Sequence, residues 1–163
     1  MRKFAAVVVT AFMLIVTAGC TDGGVSTGGI AADGELMVHY LDVGQADSTL
    51  LVSGDEAMLI DAGNRDDADY ILSYLDEQGI DELEYIVFTH PHEDHMGSGK
   101  EIVQNIDVGK IYMLDGYDSG IALKLKKTIE AEAIPTEAPE PGDKMTFGDC
   151  NIDFLGPVQD YKD

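Results

Sequence analysis

The chain has 163 residues, with 31 acidic against 10 basic side chains and a formal net charge of −21, a length that accommodates one domain. Such a charge repels polyanions: it excludes a non-specific grip on nucleic acid through a basic face, and it disfavours any nucleic-acid partner in the absence of metal ions or a local cationic groove. Apolar residues at 45% describe a globular chain, and two cysteines, Cys20 and Cys150, are too few for a disulfide framework or a thiolate zinc site.

Arg2 and Lys3 form a short positive region, residues 4–16 are apolar apart from Thr10, and Thr17-Ala18-Gly19-Cys20 supplies small residues for cleavage, so residues 1–19 read as an export signal. The apolar run is shorter than the roughly 20 residues that a membrane-spanning helix needs. Ending on Ala-Gly-Cys, it resembles the bacterial lipoprotein signal. That resemblance implies acylation of Cys20 and anchoring of the exported chain to a cell membrane at its extracytoplasmic face; an ordinary secretory peptide with an incidental cysteine is the alternative. Residues 20–34 are rich in glycine and small polar side chains and read as a flexible tether. The folded part is expected over 35–163.

Residues 36–41, 48–52 and 57–60 read as strands of a meander, with a turn at 53–56. Over 66–78, Ala68, Ile71, Leu72 and Leu75 recur at helical spacing, and Gly79 supplies the stop. Residues 85–89 are β-branched and aromatic, as a buried strand requires. A short helix is expected over 99–105, a strand over 110–114, and a helix over 119–132 bearing Ile121, Leu125 and Ile129. Pro135, Pro139 and Pro141 interrupt the chain, after which 144–147 and 151–155 form a hairpin turned at Gly148-Asp149. His39 alternates with apolar neighbours and reads as a core or edge histidine, Tyr112, Tyr117 and the methionines as packing residues, and Cys150 as a buried hydrophobe.

The chemistry concentrates in Thr89-His90-Pro91-His92-Glu93-Asp94-His95, where three of the four histidines of the chain lie beside an aspartate. Imidazole and carboxylate are ligands for Zn²⁺ and neighbouring transition metals, and a preceding buried strand can fix their directions. Residues two apart on an extended segment point the same way, so His90 and His92 can converge on one metal while Asp94 and His95, past a bend, face a second. Two metals so placed polarise a substrate oxygen and bring the pKa of a bridging water to about 7. The bland alternative is a solvated polar loop. Asp61, at the end of a strand, can orient an imidazole through its outer nitrogen or simply cap the turn before Gly63. Asp47, Ser48 and Gln45 read either as turn chemistry or as the edge of the site.

This H-x-H-x-D-H pattern after a buried strand resembles the metallo-β-lactamase superfamily. Leu41-Asp42-Val43-Gly44-Gln45-Ala46-Asp47-Ser48 and Leu59-Ile60-Asp61-Ala62-Gly63 narrow the likeness to the hydrolase domain of ComEC-type competence proteins and their secreted relatives, with Ala46 standing where that segment has a second glycine. The resemblance implies an α/β fold, the αββα sandwich. It implies His90 and His92 on a first metal, Asp94 and His95 on a second, Asp61 supporting the metal loop by hydrogen bonds, and Asp94 positioning the attacking water. Two zinc ions per full-length protein are expected, with Mn²⁺ or another divalent ion able to substitute. The function implied is an exported hydrolase in which metal-bound hydroxide attacks a phosphodiester or ester-type small-molecule substrate. A non-catalytic surface lipoprotein with a structural or scavenging metal loop is the alternative. No histidine follows His95, whereas the family draws further ligands from its C-terminal half. The sequence is therefore expected to be the N-terminal half of a longer sandwich, truncated, inactive by itself, and short of a facing sheet over strands 85–89 and 110–114.

Overall fold

The computed structural model describes residues 34–116 and 118–157. The export signal, Cys20, the tether up to residue 33, Tyr117 and residues 158–163 lie outside the described residues. Strands β1 (Leu36–Tyr40), β2 (Thr49–Ser53) and β3 (Glu56–Ile60) form the antiparallel meander, with Ser53 paired to Glu56 across the two-residue turn Gly54-Asp55. The chain then winds in parallel. Helix α1 (Ala68–Glu77) leads to β4 (Glu82–Phe88), the short helices α2 (Glu93–Met96) and α3 (Gly99–Val103) to β5 (Asp107–Met113), and α4 (Gly120–Ala131) to β6 (Thr136–Glu137). The resulting six-stranded sheet keeps the sequence order β1 to β6, antiparallel over its first three strands and parallel over its last four. Strands β7 (Lys144–Phe147) and β8 (Cys150–Asp153) make a separate hairpin. No helix among the described residues is long and apolar enough to cross a membrane.

The two faces of the sheet are buried by different partners. Leu50, Leu59, Ile86, Phe88 and Ile111 join Ile71 and Leu75 of α1, Ile102 of α3 and Leu125 and Ile129 of α4 in the main core. Period-two alternation sends Met58, Tyr85, Val87 and Tyr112 to the other face, against Met145 and Phe147 of the hairpin. The face expected to be bare is thus covered in part: Phe147 is fully buried and Tyr112 is 7% exposed. The hairpin is also tied at its tip, where Gly148 N–H donates to a Glu56 carboxylate oxygen at 2.9 Å.

Helix α1 stops as its sequence predicts. Gly79 adopts φ +74, Ile80 N–H reaches Leu75 O and Gly79 N–H reaches Asp76 O, each at 2.9 Å, so the last carbonyls are satisfied. Other boundaries differ from the sequence reading. Strands β4 and β5 begin three residues before the apolar runs, at Glu82 and Asp107, because parallel pairing uses backbone groups and tolerates charged side chains at an exposed sheet end. Strand β6 appears among the prolines. It is an edge strand whose neighbour Pro135 accepts at its carbonyl from Ile111 N–H at 2.9 Å, a role that needs no proline N–H.

Candidate metal centre

Parallel strands β3 and β4 run side by side to Ile60 and Val87, so Asp61 and Thr89-His90 emerge together from their carboxyl ends, where open α/β sheets place their sites. Asp61 is 3% exposed and holds φ +58, a left-handed conformation that aspartate tolerates better than most side chains. Its backbone N–H still donates to Val87 O at 2.9 Å, while the side chain turns across the end of β4. One carboxylate oxygen accepts from Thr89 N–H at 2.8 Å. The other accepts from Thr89 Oγ1 at 2.6 Å and from His95 Nδ1 at 2.8 Å.

These bonds set the imidazole tautomers. A carboxylate only accepts, so His95 carries its proton on Nδ1 and leaves Nε2 as a lone-pair donor. Thr89 spends its hydroxyl proton on Asp61, so its oxygen accepts from His90 Nδ1, 3.1 Å away, and His90 Nε2 is left unprotonated in the same way. Burial lowers the His90 pKa first, and the neighbouring His95 and His92 add to the effect against the opposing pull of Asp61 and Asp94. A neutral ring is the form that binds metal.

The motif changes conformation midway. His92 is extended, with φ −82 and ψ 159, and Glu93 opens the single turn α2, which carries Asp94 and His95 round toward His90. The rings of His90 and His95 lie 3.7 Å apart between centroids, and the exposed His92 meets His90 edge-on at 4.8 Å. His90, Asp94 and His95 each place a ligand atom within 4.8 Å of the others. His92 stands beside this trio, so the structure groups His90 with the later pair as well as with its near neighbour. Zinc bonds of about 2.0–2.2 Å at tetrahedral angles put neighbouring donor atoms ~3.4 Å apart. The 3.8 Å between Asp94 Oδ2 and His95 Nε2 is close to that spacing. Two oriented neutral imidazoles and a carboxylate are therefore a donor set that fits a divalent ion.

Neighbouring loops lock this segment. Ala62 N–H donates to His95 O at 2.7 Å, Gly97 N–H to Gly63 O at 2.9 Å, and Asp47 N–H to Asp94 O at 3.0 Å. Ser98 is fully buried, and its hydroxyl donates to Asn64 O. At Gly97 the chains approach so closely that any Cβ would collide with the Asn64 and Arg65 backbone and with Glu93 O. Ser119 caps α4 by accepting from Ala122 N–H at 3.2 Å, and it donates to Pro91 O at 3.1 Å, fixing the loop from the helix side.

Of the residues singled out from sequence, His90, Asp94, His95 and Asp61 come together, and His92 adjoins them. His39 lies elsewhere on β1, its Nδ1 2.8 Å from the Tyr74 hydroxyl. Thr89 reads from sequence as the end of a strand and the first residue of the histidine motif, and its place between Asp61 and His90 follows from a meeting of two strand ends that local sequence does not display. A hydroxyl residue directly before the first histidine was the available signal.

The metallo-beta-lactamase superfamily model matches residues 41–161. No curated protein sequence matches the chain. Among solved structures, metallo-beta-lactamase SMB-1, in a complex with mercaptoacetic acid, aligns with a TM-score of 0.54 at 16% identity over 75% of this chain and 52% of its own. GOB-18 from Elizabethkingia meningoseptica aligns at 0.52 and 17% identity, over 90% and 57% respectively. BJP-1, a subclass B3 metallo-beta-lactamase of Bradyrhizobium japonicum, aligns at 0.51 and 18% identity, over 78% and 53%. These likenesses are of fold, and the chain spans somewhat over half the length of each of these proteins.

Proposed function

The chain belongs to the metallo-β-lactamase superfamily, and from that premise we propose that it is a metal-dependent hydrolase acting on a phosphodiester or ester-type substrate, with His90, His92, Asp94 and His95 as ligands. The observation that supports this most is the pair of fixed tautomers: Asp61 on His95 Nδ1 at 2.8 Å and Thr89 on His90 Nδ1 at 3.1 Å. A bound divalent ion such as Zn²⁺ or Mn²⁺ supplies Lewis acidity toward a substrate oxygen and acidifies water toward neutral pH. The chain's own groups supply the rest. Asp61 and Thr89 hold the imidazoles in their ligand form, and the loop contacts to Ala62 and Gly63 keep them from relaxing. The Asp94 side chain, 37% exposed, is open enough to accept a hydrogen bond from an attacking water, orient it and take its proton.

The residues from Leu41 to Ser48 support a place among the ComEC-type relatives. The signal ending at Cys20 supports export and a lipid anchor at the extracytoplasmic face of a bacterial membrane. The test is turnover of a phosphodiester and an ester reporter by the full-length protein with zinc or manganese. His92→Ala and Asp94→Ala should each lower the rate by orders of magnitude, and His39→Ala, remote from the centre, should lower it far less. Full-length protein that binds metal yet turns over neither reporter would overturn the hydrolase reading in favour of a structural or scavenging metal loop.

A further inference from the structure

Asp47 sits in the loop between β1 and β2, and its backbone already serves the centre. Its N–H donates to Asp94 O at 3.0 Å and its carbonyl accepts from Gly63 N–H at 2.9 Å. Both bonds fix the position of residue 47 without using its side chain. The side chain is 71% exposed, yet its Oδ2 stands 3.5 Å from His95 Nε2.

That distance is longer than a direct ion pair, and Asp47 flanks the group formed by His90, Asp94 and His95 without being one of the three. A direct ion pair between a carboxylate and an imidazolium closes to about 2.7–2.9 Å. Here Asp47 stands off at 3.5 Å and Asp94 at 3.8 Å from the same nitrogen. Both separations lie near the ~3.4 Å edge of a tetrahedron of zinc ligands, and Asp61 on the far side of the ring keeps that nitrogen's lone pair available.

We infer that Asp47 is a further ligand of the metal held by Asp94 and His95, contributing a carboxylate oxygen from the β1–β2 loop. The inference rests on the reading of this loop as a metal centre, so the experiment separates the two. In the full chain, zinc affinity is measured by competition with a chromophoric chelator, and the absorption spectrum of the cobalt-loaded protein is recorded, for wild type, Asp47→Asn, Asp47→Glu and Asp42→Asn. Asp42 is exposed in the same loop and serves as the control.

Asp47→Asn should bind zinc about 10- to 100-fold more weakly and shift the cobalt bands. Asp47→Glu should recover part of the affinity, and Asp42→Asn should match wild type. The melting temperature of the metal-free protein should be the same for Asp47→Asn as for wild type, because the structural bonds at this position come from the backbone. Wild type that binds zinc, with Asp47→Asn within about twofold of it, overturns the inference and leaves the metal centre standing. An affinity loss matched by a fall in metal-free melting temperature also overturns it, since Asp47 is then structural. Wild type with no saturable binding overturns both.

Discussion

Replacing Asp61 by Asn changes one atom in a buried group that accepts three hydrogen bonds. Asparagine tolerates the φ of +58 at this position, so the backbone need not move. The amide oxygen can still accept from Thr89 N–H, which puts the NH₂ group where Oδ2 faces the Thr89 hydroxyl and His95 Nδ1. The opposite orientation would set that NH₂ against Thr89 N–H, donor against donor. In the better orientation His95 must accept at Nδ1, so its proton moves to Nε2 and the nitrogen facing Asp94 and Asp47 loses its lone pair.

Losing charge assistance weakens each of the three bonds by about 1 kcal/mol, or about 3 kcal/mol in all. That is a large part of a typical folding free energy but leaves a folded protein. Zinc affinity should fall about 10- to 100-fold because the wrong tautomer is favoured. Urea unfolding of the metal-free protein gives the first quantity and competitive zinc titration the second. Reduced stability with unchanged zinc affinity would refute the tautomer argument and leave Asp61 a turn-capping residue.

Gly97→Ala forces a Cβ into the backbone of Asn64 and Arg65 and should destabilise by about 1–3 kcal/mol or more, seen as a lowered melting temperature; an unchanged melt would mean that the loops can separate freely. Phe147→Ala empties a fully buried site between the hairpin and the sheet and should cost about 3–5 kcal/mol in urea unfolding; a loss below about 1 kcal/mol would show that the hairpin does not stabilise that face. Metabolic labelling with a fatty-acid probe should mark the wild-type protein and not Cys20→Ala, and equal labelling of the two would remove the lipid anchor from the account.

The histidine motif was legible because ligand density needs no tertiary knowledge: His90, His92, Asp94 and His95 lie within six residues. The meander, α1, α4 and the 144–147 strand were legible from periodicity and turn residues. Asp61 could be read as a candidate partner of an imidazole, but its bond to His95 spans 34 positions and depends on a left-handed backbone that the sequence does not announce. The contribution of Asp47 was obscure for a related reason, since nothing local shows that its N–H meets Asp94 O. The first residues of β4 and β5 were hidden by Glu82, Glu84 and Asp107, which read as loop by composition yet join the ladder through their main chain or lie within it. The covered second face depends on how Met145 and Phe147 land on Met58 and Tyr112, a contact between distant segments.

The central claim is that a metal ion lies among His90, Asp94 and His95. Crystals soaked in zinc, with anomalous diffraction recorded above and below the zinc absorption edge, test it directly. The account predicts an anomalous peak about 2.0–2.2 Å from a ligand atom of each of these three residues, and the loss of that peak in His95→Ala. A wild-type crystal with no peak there, or with zinc held only by carboxylates elsewhere on the acidic surface, would contradict it.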